Sequence, residues 1–191
     1  MPWLTPSLSI LQALATATLV VGACASTTAH NAGSSAPDVA APPALQPPAQ
    51  TKALMKLHAE GAQIYVCQAA AAPAAPQYSW VLRGPDAKLY DDAGRLTATH
   101  FAGPTWQSTV DGSAVVAKKV RDAPAPAPGA IPWLLLQTVS TTGHGQFSSV
   151  VAVQRLATAG GVAPTEACAA GSKGAVRAAP YKADYVFFGA E

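Results

Sequence analysis

His100-Phe101-Ala102-Gly103-Pro104-Thr105-Trp106-Gln107-Ser108-Thr109-Val110-Asp111-Gly112-Ser113-Ala114-Val115-Val116 reads as strand-like runs separated by turns. Asp111-Gly112 between two such runs signals a β-hairpin, because the favoured two-residue turn needs positive φ at both central residues. Gly103-Pro104 bends the chain just before it. Upstream, Arg95 to His100 alternates behind an Asp91-Asp92-Ala93-Gly94 turn, and Ala87 to Tyr90 makes a short strand. Tyr78 to Arg83 is the strand before that, stopped by Gly84-Pro85. Ala62 to Cys67 alternates and is rich in β-branched and aromatic residues, which is strand chemistry. Leu54 to Gly61 reads as a short helical turn or as the lead into that strand.

Downstream, Ser113 to Val120 is the return strand of the hairpin. Ile131 to Thr138 is a continuous apolar run, as in a strand buried on both faces, with Pro132 at its start or at a bulge. Phe147 to Leu156 and Tyr181 to Phe188 supply further strands. Long 3.6-residue apolar periodicity is missing from this region. About eight or nine short strands with regular turn signals predict an all-β domain, an antiparallel β-sandwich or a partly closed barrel.

The chain has 191 residues, which allows one ordinary domain plus tails. All 12 Lys and Arg and nine of the 10 acids lie after residue 50, so this part carries 12 − 9 = +3. The charges are too few and too scattered for a nucleic-acid footprint, and no polybasic block marks a membrane surface.

Residues Ile10 to Ala23 form an apolar run with the length of a signal-peptide core, short for a bilayer span. Small residues before Cys24 are similar to a bacterial lipobox, in which the cysteine is lipidated. Ala23-Cys24-Ala25 also fits the small-x-small pattern of ordinary cleavage, and no Lys or Arg precedes the run. Residues 26–51 carry five prolines among Ala, Ser and Thr and little to bury, so a disordered linker is expected there. The domain plan is a signal segment over 1–25, the linker over 26–51 and one β-rich domain over 52–191. The expected location is the bacterial cell envelope, lipid-anchored in the periplasm or outer membrane, or outside the cell. Contact with a membrane is expected through the N-terminal anchor alone.

With Cys24 in the targeting segment, Cys67 and Cys168 remain as a pair. An exported chain meets an oxidising compartment, so a disulfide is expected. Two free buried thiols, or thiol chemistry, are the alternatives; no Cys-x-x-Cys spacing points to metal.

Gly61-Ala62-Gln63-Ile64-Tyr65-Val66-Cys67, His100-x-x-Gly103-Pro104-Thr105-Trp106, Asp111-Gly112-Ser113, Ile131-Pro132-Trp133-Leu134-Leu135 and Gly160-Gly161-x-x-Pro164 occur in this order. Together they resemble a secreted bacterial and fungal family known as domain of unknown function 3455, over residues 52 to 188. The resemblance implies export and a β-rich fold; it implies no activity and no catalytic residue.

Four residues are candidates for a ligand site. His100 titrates near neutral pH and suits an acid, a base or a turn-pinning hydrogen bond. Trp106 suits a stacking platform or a core position. His144 lies between two glycines in a loop. Arg155, on an apolar strand, suits a paired structural role or a carboxylate anchor. A metal held by His100, His144 and Asp111 requires the fold to join them; no cofactor is expected from the spacing. Gly-x-Ser-x-Gly, phosphate-loop and His-Glu-x-x-His patterns are absent from the sequence. The favoured reading is a non-enzymatic module binding a small ligand, a glycan or another envelope component. The alternatives are a hydrolase or metal-assisted enzyme using His100 with Asp111 or His144, and a structural or protein-interaction domain.

Overall fold

The computed structural model describes residues 40–70 and 77–191. The expected signal segment, Cys24 and most of the expected linker lie outside the described residues. Eight antiparallel strands form one closed barrel in sequence order: β1 (Thr51–Ala70), β2 (Gln77–Tyr90), β3 (Leu96–Phe101), β4 (Thr105–Ser108), β5 (Ala114–Ala123), β6 (Trp133–Thr142), β7 (Val150–Gly160) and β8 (Val176–Ala190). The barrel closes where β1 pairs with β8, from Thr51 opposite Ala190 to Val66 opposite Val176. The all-β expectation holds, and of its two forms the barrel is the one adopted, fully closed. No helix among the described residues is long and apolar enough to cross a membrane.

Several strands are longer than the sequence suggests. Leu54 to Gly61, expected as a helical turn or a lead-in, is continuous strand within the 20 residues of β1. β2 runs through Gly84-Pro85 instead of stopping there. Ile64 pairs with Gly84 and Tyr65 with Leu82, so a bulge at Arg83 absorbs the irregularity. Gly84 sits at φ 151°, and a Cβ on it would come within 2.8 Å of Ala102. A side chain at Gly61 would run into the backbone of Asp86 and Ala87, so β1 and β2 pack closely only with glycine there.

Alternation assigns the inner face. On β1, Leu57, Ala59, Gln63, Tyr65 and Cys67 are buried at every second position, and Gly61 shares their side. Phe147, Phe187, Val115, Val153 and Leu57 fill the lower interior. Connections alternate between the ends of the barrel because every strand reverses. Loops 102–104, 124–132 and 161–175 stand at one end, here called the mouth. Loops 91–95, 109–113 and 143–149 stand at the other.

β6 is buried on both sides, as its apolar run predicts. Leu136 faces the interior, with Leu134 packed beside it. Trp133 and Leu135 face outward into a second cluster with Leu156 and Leu45. Leu45 belongs to a 3-10 turn, Pro43–Leu45, and is fully buried. Gln154 Nε2 donates to its carbonyl at 2.6 Å. The end of the stretch expected as linker is therefore a strap on the outer wall: one leucine finds an apolar hollow that the proline-rich composition does not reveal.

Cys67 and Cys168 form a disulfide spanning 101 residues of sequence. It ties the β7–β8 connection to the end of β1. Trp80 Nε1 donates to the Glu166 carbonyl at 2.9 Å, and Arg177 stacks over Trp80 and pairs with Glu166, so the same connection is held at three points.

A cavity at the mouth of the barrel

β3 and β4 place His100 directly opposite Trp106. Both point inward, and their rings stack at 4.2 Å with planes 4° apart. Tyr185 meets each of them edge-on, at 5.1 and 5.3 Å. This aromatic set forms the floor of a cavity of about 300 Å³. Leu134, Leu136, Pro85 and Pro104 give it apolar walls. Leu82 and Lys119, both exposed, stand where it meets solvent.

Several of the residues lining this space carry hydrogen-bond donors. His100 Nδ1 lies 2.8 Å from the Thr105 carbonyl oxygen, so that nitrogen carries the hydrogen and Nε2 keeps the lone pair. Burial pushes the His100 pKa down to about 3, outweighing the Thr105 carbonyl, which favours the protonated ring; the Arg155 charge adds to the depression. The imidazole is neutral at ordinary pH. Gln63 is 2% exposed and Trp106 fully buried, yet Gln63 Nε2 and Trp106 Nε1 have no hydrogen-bond partner. Arg155 shares the cavity wall and donates through Nε and Nη2 to the Pro132 carbonyl, at 3.2 and 2.8 Å. Among the described residues no carboxylate pairs with it. The partner given to Arg155 by the fold is thus a backbone carbonyl. Burial raises the Tyr185 pKa, keeping the phenol protonated.

Of the four candidates, His100, Trp106 and Arg155 line one cavity; His144 does not. His144 is exposed in the loop 143–149 at the opposite end of the barrel. Asp111 is at that end too, engaged in its own turn. It accepts from the Ser113 hydroxyl and backbone N–H and, at 2.9 Å, from the Gln146 N–H. These bonds, led by the Ser113 hydroxyl, hold its pKa down to about 2. The hairpin predicted at Asp111-Gly112 is present, but Gly112 alone of the two has positive φ, and Ser108 N–H closes a wider loop onto the Ser113 carbonyl. An enzyme pairing His100 with Asp111 or His144 is not assembled, because alternating hairpins put them at different ends. No group of three or more His, Cys, Asp or Glu side chains among the described residues is placed to hold a metal.

Sequence reasoning missed Gln63 and Tyr185. The signal for Gln63 was strand parity: in Gly61-x-Gln63-x-Tyr65-x-Cys67 it shares the face of two residues that belong inside. Tyr65 then donates to the Gly161 carbonyl at 2.8 Å. A Cβ on Gly161 would fall 3.2 Å from both Gln63 and Ile131. Motifs about a hundred residues apart in the chain thus meet at the mouth.

An antiparallel eight-stranded barrel with an interior cavity and a disulfide-tied mouth is the class of protein described by these features. Residues 47–189 match a family model described as "Protein of unknown function (DUF3455)", and the chain belongs to that family. No curated protein and no solved structure matches the chain.

Proposed function

We propose that this protein is a non-enzymatic module of an exported polypeptide, and that it takes a small ligand into the mouth of its barrel. The observation that carries the reading is the pair of buried, unpartnered donors, Gln63 Nε2 and Trp106 Nε1, on one cavity. A buried polar group without a partner costs about 1–3 kcal/mol, and a ligand acceptor would remove that cost. Eight strands give a barrel interior able to hold one small molecule, and about 300 Å³ lies at the lower end of ligand-pocket sizes. A glycan chain fits less well: Trp106 is a buried floor rather than an exposed platform, and the walls are apolar. Export to the cell envelope, or out of the cell, is supported by the disulfide and by the apolar run Ile10 to Ala23.

The test is a ¹H–¹⁵N spectrum of the labelled protein titrated separately with phenol, indole and cyclohexanol. Binding inside the barrel moves the Trp106 indole N–H and the Gln63 side-chain amide together. If all three probes leave both signals in place, or shift exposed residues only, the reading fails.

A further inference from the structure

We infer that the cavity selects an amphipathic monocarboxylate: an acid whose carboxylate engages Arg155 and the free donors while a compact apolar body lies against the walls. This rests on the binding reading above and adds the ligand's charge and shape. Three observations lead to it.

The charged side chains on the cavity are Lys119 and Arg155, both cationic. Lys119 already has Asp122 at 2.7 Å, which leaves the Arg155 guanidinium as the charge with no acid beside it among the described residues. A guanidinium fork matches a carboxylate better than it matches a carbonyl. Next, the unsatisfied groups are N–H donors on Gln63 and Trp106, so the missing partner must supply acceptors. A carboxylate presents two oxygens and no donor of its own. Finally, the rest of the lining is largely apolar, including Leu134, Leu136, Pro85 and Pro104. An inorganic anion would leave those surfaces without contacts, and a multiply charged ligand would be stripped of water against them at high cost.

The probe pair is 4-phenylbutyrate and 4-phenylbutyramide, alike in shape and different in charge. Each is titrated into the disulfide-intact protein by calorimetry, and the Trp106 and Gln63 side-chain N–H signals are followed by NMR. The acid is expected to bind at least ~10-fold more tightly than the amide, with a preference that shrinks as salt rises. Arg155→Gln should bring the acid down to the affinity of the amide. Arg155 also holds the Pro132 carbonyl, so if that variant fails to fold, the salt dependence of the wild-type acid–amide difference decides alone. Equal binding of acid and amide, with both side-chain signals moving, overturns the carboxylate inference and leaves the cavity reading standing. Failure of both probes to reach Trp106 and Gln63 overturns the two together.

Discussion

Acidification from pH 8 to pH 5 should destabilise the barrel through His100 by about 2 kcal/mol. The ring has a pKa near 3 when folded, against an ordinary 6.5 once unfolded. A group whose folded pKa is depressed by burial of its neutral form makes the unfolded state bind more protons, so stability falls as pH falls below the unfolded value. Integrating the linkage relation at about 1.36 kcal/mol per pKa unit gives almost no effect at pH 8, about 2 kcal/mol at pH 5 and about 3 kcal/mol at pH 4. His58 works in the opposite sense. Its ring nitrogens lie 2.9 Å from Asp92 and 2.7 Å from Asp184, and these bonds, Asp92 first, raise its pKa above 6.5. Its contribution is complete below about 6.5 and is lost as pH rises through the raised folded value. A wild-type curve alone mixes the two. Urea unfolding at pH 8, 6 and 5 should therefore be compared between wild type and His100→Asn, which keeps an N–H for the Thr105 carbonyl and cannot titrate. Relative to wild type, the variant should gain about 2 kcal/mol between pH 8 and pH 5. Parallel curves would refute the placement of a buried, neutral His100.

Leu45→Ala should cost about 2–4 kcal/mol in chemical unfolding, because the side chain is fully buried between Trp133, Leu135 and Leu156; a cost below about 0.5 kcal/mol would mean that the strap is not part of the folded unit. Replacing Cys67 and Cys168 together by Ala should cost about 4.7 kcal/mol by the chain-entropy relation for a loop spanning 101 residues, read from the unfolding midpoint. An unchanged midpoint would show that the bridge does not constrain the unfolded chain.

The β class was legible because alternation is local: a run such as Ala62 to Cys67 shows it within a few residues. Closure was not legible. It depends on β1 meeting β8 across more than a hundred residues, and a bulge such as the one at Arg83 changes register without a strong signature. Gly84-Pro85 looked like a stop because both residues usually end strands, yet a bulge carries them inside one. For the cavity, His100, Trp106 and Arg155 each stood out by residue type, but their sharing one space is a matter of register. His144 shares their chemistry but not their place. Only the parity of the strands before it shows that its loop belongs to the other end. Leu45 was hidden for a different reason: composition argues against a buried residue in a proline-rich segment, and one apolar side chain is enough to overrule it.

Sealing the cylinder with the first and last strands has a consequence for biogenesis. Until β8 docks, β1 has a neighbour on one flank only, and the other flank offers unpaired backbone groups to any extended chain nearby. Ring completion must wait for β8, whose pairing with β1 reaches Ala190. Loss of residues 187–190 from β8 would weaken the final seam, and the expected product is a sticky open sheet prone to clumping in place of a slightly less stable cylinder.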